Sequence, residues 1–304
     1  MTKVNTGAAT AISLHALRMT RTRRPFRRLL LSLACSLLTG AVAVQAQTSS
    51  GGTGTAPAGA VTGSQTPQKT HLSYTLYSHW FSVLDITTDY LLDSARYDVS
   101  MDAHASGLLS LFMRMNIHSR AQGSVSDSVV RPQRYDSAGW ARKTMRHVII
   151  DYPLSGPRVV LQDPAETDRE PVSEDQRRAA TDILGTMMKV LAQIRQTGRC
   201  DGTFDIFDGI RLTRMTLSTA GMEPPPDIRK EWRAPAMRCN FTGRQIAGFI
   251  KGHESTSSLR EQHGGSMWFE TIPGFGPVAV RVEMEHPKIG KATALLTKDP
   301  TLVP

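Results

Sequence analysis

Acidic residues are missing from the first 46 positions, cysteine occurs only three times in 304 residues, and after position 46 no apolar run is long enough to span a membrane. The first absence identifies a leader. Lys3, Arg18, Arg21, Arg23, Arg24, Arg27 and Arg28 precede a nearly uncharged Leu/Ala-rich run over 29–44, and Val44-Gln45-Ala46 closes on a small residue. A basic start, a short apolar stretch and a small-residue exit form a secretory signal rather than a domain. The chain carries 36 Lys+Arg against 27 Asp+Glu, a net charge of +9, but seven of the positive charges lie in the leader and the rest exceed the acids by only two. A nucleic-acid partner, which needs a basic face, loses its support.

Thr22-Arg23-Arg24-Pro25-Phe26 resembles a twin-arginine export motif, although arginines are also what any such leader contains; general secretion is the expected route. Cys35 follows Ser32-Leu33-Ala34, with serine three residues before the cysteine where a lipidation site needs leucine, so a soluble periplasmic protein is expected. The two cysteines left after the leader, Cys200 and Cys239, form an even pair in an oxidising compartment and read as a disulfide. Two cysteines without paired histidines cannot fill a tetrahedral metal shell.

The motifs of common chemistries are also missing. No Gly-x-Ser-x-Gly elbow occurs, so His263-Gly264-Gly265 reads as a hairpin turn rather than an oxyanion loop. Gly274-Phe275-Gly276-Pro277-Val278-Ala279 has the glycine spacing of a dinucleotide loop but runs into a strand, and Pro277 lacks the amide a phosphate would need. His253-Glu254 lacks the second histidine of a zinc-protease helix. Asp201, Asp205 and Asp208 do not follow a calcium-loop pattern, and Asp201, Asp208 and Gly209 have a sufficient role in turns. Arg244 is a candidate ion-pair partner for one of these acids across the cystine-clamped strands. No catalytic residue, metal ligand or cofactor site is assigned.

What remains is a β-rich body. Residues 47–71 are almost entirely Gly, Ser, Thr, Ala, Pro and Gln, with Val61, His71 and the single full charge Lys69 besides, too little apolar surface to offset ordering, and read as a linker. A single domain over 72–298 follows, with 299–304 a short tail. Tyr97, Val99, Met101 and Ala103 alternate with Asp98, Ser100, Asp102 and His104; Leu109, Leu111, Met113, Met115 and Ile117 alternate with more polar neighbours; Val278, Val280, Val282 and Met284 do the same. Period-2 patterning of this kind marks half-buried antiparallel strands. Further strands are expected over 73–83, 121–129, 139–151, 158–161, 210–218, 246–253 and 266–271. Ser173, with Glu174, Asp175 and Gln176, forms a capping box for a helix whose stripe is Ile183, Leu184, Met187, Met188, Leu191 and Ile194, ending at Gly198. The expected architecture is a mainly antiparallel, curved or incompletely closed barrel-like sheet, with this one principal helix packed against or plugging it.

Several phrases resemble an exported bacterial family of unknown function, DUF3108: Arg131-Pro132-Gln133-Arg134-Tyr135, Thr181-Asp182-Ile183-Leu184, Cys200-Asp201 with Phe207-Asp208-Gly209, Cys239 with Gly243-Arg244-Gln245-Ile246-Ala247-Gly248, and Pro277-Val278-Ala279-Val280-Arg281. The helix has Asp182-Ile183 where relatives often carry Asp-Pro. The resemblance implies an envelope protein of curved antiparallel sheet and brings no established reaction.

Three functions follow as expectations. In the first, Leu109, Leu111, Met113, Met115, Met187, Met188 and Leu191 line an apolar cavity that holds a lipid or an acylated envelope component. In the second, a solid-cored module binds envelope proteins through its exterior. The third, a hydrolase of envelope glycan or lipid, requires Asp201, Asp205, Asp208, His253 and His263 to cluster.

Overall fold

A computed structural model describes residues 67–304 except 108, 113, 142–143, 227–231, 253–256 and 287–289. The leader, nearly all of the linker, Cys35, Met113 and His253 lie outside the described residues. The chain forms β1 (Lys69–Ser78), β2 (Phe81–Leu92), β3 (Arg96–Ala105), a helical turn α1 (Leu109–Phe112), β4 (Met115–Ser126), β5 (Val129–Ala141), β6 (Thr144–Asp151) and β7 (Arg158–Asp163). Two helices follow, α2 (Glu174–Arg177) and α3 (Ile183–Thr197). The second half comprises β8 (Gly202–Phe207), β9 (Leu212–Glu223), β10 (Ala236–Ala247), a turn α4 (Ser257–Arg260), β11 (His263–Ile272), β12 (Gly276–His286), β13 (Gly290–Leu296) and β14 (Thr301–Val303).

All fourteen strands join one antiparallel sheet in the order β7-β6-β5-β4-β3-β2-β1-β13-β12-β11-β10-β9-β8, with β14 also on β1. The sheet is not closed: β7 and β8 are its two ends. β1 sits at the seam between the chain's halves, pairing Lys69, Thr70 and His71 with β14 and Tyr74 to Ser78 with β13. The domain is therefore wider than its apolar pattern implies, because Lys69 and Thr301–Val303 both belong to the sheet and neither is linker or tail.

The sheet curls around α3, which touches β3, β4 and β5 from the first half and β8 and β12 from the second. Alternation supplies the apolar lining: Tyr97 and Val99 are buried, while Asp98, Ser100, Asp102 and His104 face outward. Leu184 and Met188 of α3 are fully buried among Tyr97, Val99, Ile150, Phe207, Leu212, Val278, Val280 and Leu296. Near the open seam, residues outside the named strands draw the halves together. Thr181 pairs with Ile206 of β8, and Gly209, at φ 90°, leaves room for Val148 of β6, whose Cγ1 would lie 2.4 Å from an added Cβ.

The helix differs from its sequence reading in a way the backbone explains. Ser173 caps only the single turn α2, with the full capping box in place. The chain then leaves helical geometry so that Thr181 can exchange hydrogen bonds with β8: its N–H donates to Asp205 O at 2.9 Å and its carbonyl accepts from Phe207 N at 3.0 Å. Asp182 starts the long helix anew as its N-cap, with Oδ1 accepting from Gly185 N at 2.7 Å. Ile183 thus occupies the first helical position, the one that tolerates proline. Gly198 ends α3 in the left-handed region at φ 66°.

The run from Leu109 is a second correction. Leu109, Leu111 and Met115 do not share one strand face. β3 and β4 pair His104 with Asn116, so the chain must reverse between them, and Gly107 begins that reversal at φ 55° against Ser82. Leu109 and Leu111 fall in α1, and β4 begins at Met115. The expected strands over 73–83, 121–129 and 139–151 each run across the junction between two strands, and of 246–253 only Ile246 and Ala247 are strand, as the last residues of β10, with Ile250 forming a single bridge to Arg169.

Candidate functional site

The one buried ionisable cluster of note lies beneath the start of α3. Asp182 is fully buried, and only one of its carboxyl oxygens is used in capping. The other, Oδ2, shares the interior with the Tyr97 and Tyr152 hydroxyls, and none of the three has a hydrogen bond of ordinary geometry. Gly185 is what lets them approach: a Cβ there would lie 2.7 Å from Thr181 Cγ2, 3.0 Å from Asp182 Oδ2 and 3.2 Å from the Tyr97 hydroxyl. Burial pushes the Asp182 carboxyl above its usual range, against the amide of Gly185 and the nearby Tyr152 hydroxyl, which favour the charged form. Burial likewise raises both tyrosines and lowers Lys189, whose Nζ donates to Thr181 Oγ1 at 2.5 Å. Tyr97 also lines a groove of about 470 Å³ beside the start of β3, while the Asp182 carboxyl itself is fully buried.

A carboxyl raised in the folded state makes the native protein hold a proton that the unfolded chain has released. Its stabilising contribution is full below the ordinary carboxyl value near 3.9 and fades as pH rises through the higher folded value. Asp182→Asn keeps the cap and removes the titration. Thermal unfolding followed from pH 4 to 8 is expected to show the variant gaining on the native protein as pH rises, while Asp182→Ala loses about 1–2 kcal/mol with the cap. Parallel curves for Asp182→Asn and the native protein would remove the carboxyl from this account.

The residues singled out from sequence are placed as follows. Cys200, directly after α3, is bonded to Cys239 of β10 with Cα atoms 6.3 Å apart and both residues fully buried. Asp201 accepts from Thr219 N at 2.7 Å and pairs with Arg199, interactions that lower its pKa. Asp205 forms a two-point pair with Arg214, at 2.7 and 2.9 Å. Asp208 accepts from the amides of Ile210 and Arg211, closing the turn in which Gly209 sits. Arg244 takes none of these acids, because the β9–β10 register sets it opposite Arg214 and Asp205 is already engaged. His263 opens β11 opposite Gly243 instead of making a hairpin turn. Of the proposed cavity lining, Met188 and Leu191 are core, whereas Leu111 is 75 % and Met187 39 % exposed. Met115 is half-buried at the start of β4, and Leu109 lies in α1.

The outer face of the first half carries cross-strand pairs that no motif announces, since each partner comes from a different strand. His71 faces Asp89 at 2.6 Å, His118 faces Asp102 at 2.9 Å, His147 reaches Asp136 at 2.9 Å, and His104 lies 3.8 Å from Asp85. One pair continues to a serine: Ser73 Oγ is 3.2 Å from His71 Nε2, giving the bonding order of a hydrolase triad. Yet Ser73 is buried on an extended strand, with no strained elbow to present Oγ. A groove of about 400 Å³ runs along β10–β13 and another of about 470 Å³ lies beside the start of β3, and Ser73 lines neither. In the first, Lys291 pairs with Glu283, which the buried Arg281 also engages. Among the described residues, no group of three or more His, Cys, Asp or Glu is placed to hold a metal, and no helix is long and apolar enough to cross a membrane.

No curated protein matches the chain. Among solved structures, the chain is similar to a β-barrel-like protein of domain of unknown function DUF1849 from Brucella abortus, at 8% identity and a TM-score of 0.43, over 78% of this chain and 98% of that one. The family model described as protein of unknown function (DUF3108) matches residues 73–297. The chain therefore belongs to the DUF3108 family.

Proposed function

We propose that this is an exported, non-catalytic binding module of the cell envelope that acts through its exterior and holds no small ligand within. The carrying observation is that α3 occupies the space its sheet encloses, with Leu184, Met188, Val190, Leu191 and Ile194 all buried there. The basic leader and the disulfide support an oxidising periplasmic setting. The lipid-cavity reading draws less support, because two of its lining residues, Leu111 and Met187, point to solvent. Hydrolysis draws least: Asp201, Asp205 and Asp208 are each engaged in turns or ion pairs along one edge of the sheet.

Native mass spectrometry of the chain recovered from its producing cell tests the choice. The expected result is a bare polypeptide mass, with cross-linking in cells yielding specific envelope partners. One lipid or acyl species retained per chain would overturn the filled-interior reading.

A further inference from the structure

One end of the sheet is unlike the rest of the surface. The β1–β2 turn places Trp80 and Phe81 there, 80 % and 52 % exposed, with ring centroids 6.2 Å apart and His79 holding the turn at φ 57°. α1, packed on β2 beside this turn, adds Leu111 at 75 % exposure. Three strands along from β2, Trp140 of β5 sits opposite Met145 of β6, which is 47 % exposed, and the guanidinium of Arg114 lies 4.4 Å over the Trp140 ring. Single exposed apolar residues are ordinary, but a projecting rim of Trp, Phe, Leu and Met marks an interaction site.

The charge of this rim selects the partner. The described residues within 76–84, 105–118 and 139–148, at its three hairpin ends, include Arg114 and Arg146 and no acid of their own. Arg146 is engaged by Glu166. Turns at the opposite end carry Asp93 and Asp127. Trp and Phe beside an arginine that lies over a ring are the residue types that settle at a bilayer interface: apolar bodies enter the headgroup boundary and cations meet anionic phosphates.

We propose that the rim of Trp80, Phe81 and Leu111, flanked by Arg114 and Trp140, is a membrane-contact element that seats the domain on an anionic lipid surface. This rests on the reading that the exterior does the binding, and it names that partner surface.

The test is co-sedimentation of the cell-processed chain with vesicles of phosphatidylglycerol and phosphatidylethanolamine, and with phosphatidylcholine vesicles for comparison. Trp80→Ser/Leu111→Ser is expected to weaken partition to the anionic vesicles by about tenfold and to abolish the blue shift of tryptophan emission on binding. Trp80→Tyr should retain most of the binding. Leu154→Ser, at a fully exposed residue of the β6–β7 turn, should leave it unchanged. Native-like sedimentation of the double variant, or a native chain that stays in the supernatant with every vesicle, would overturn the proposal. Removal of single lipid molecules from the vesicles into a soluble complex would instead overturn the filled-interior reading, so the two failures are distinct.

Discussion

Replacing Cys200 and Cys239 together by alanine is expected to lower the unfolding midpoint by on the order of 10 °C, with the same drop when the native protein is reduced. The bond joins residues 39 apart in sequence. In the chain-entropy account, opening a loop of that length restores roughly 4 kcal/mol of freedom to the unfolded state. The folded state loses as well, because the enclosed segment contains β8, an edge strand whose only full partner is β9. Without the link, the exit of α3 is tied to the second half by weaker contacts, among them Cys200 N donating to Thr219 Oγ1 and Gln193 Nε2 donating to Asp201 O. Thermal melts with and without reductant measure this directly. A shift of less than about 2 °C would mean that packing around α3 holds the two halves together unaided.

Met188→Ala is expected to cost about 3 kcal/mol, and Leu184→Ala a similar amount, since both side chains are fully buried in the enclosed space. The loss has a transfer part and a cavity part, and the cavity part grows where the surroundings cannot collapse. A sheet held by cross-strand hydrogen bonds collapses poorly. Met187→Ala, one position away but 39 % exposed, is expected to cost under about 1 kcal/mol. Denaturant unfolding of the two methionine variants separates the readings of the interior. Equal small losses would show that Met188 faces open space and that the filled-interior account is wrong.

Much of the architecture was legible because a half-buried strand writes its burial into every second residue. β3 alternates just as its residues imply, and β12 buries Val278 and Val280. Other strands were only partly legible, for physical reasons. β4 lines the interior with Ser119, Ala121, Gly123 and Val125, and the small members of that set carry little apolar signal. Gly123 is obligatory there, since an added Cβ would lie 2.1 Å from Arg131 O and 2.4 Å from the Tyr97 ring. On α3, Ile183 and Met187 lie on the same side as the buried Val190 and Ile194 yet remain partly exposed, because that side is covered only along its later turns. Periodicity finds a stripe, but not where its cover begins.

By itself the sequence determined the period-2 shell, the helix and its glycine stop, and the pairing of Cys200 with Cys239. Each is written in local spacing, or in a count that leaves one choice. Only the tertiary structure decided that Asp182 restarts the helix beneath two tyrosines, that histidines and aspartates meet across strands, and that Trp80, Phe81 and Leu111 share one rim. Those meetings depend on register and curvature, which come from hydrogen bonds between strands far apart in the chain and leave no mark in the order of neighbouring residues.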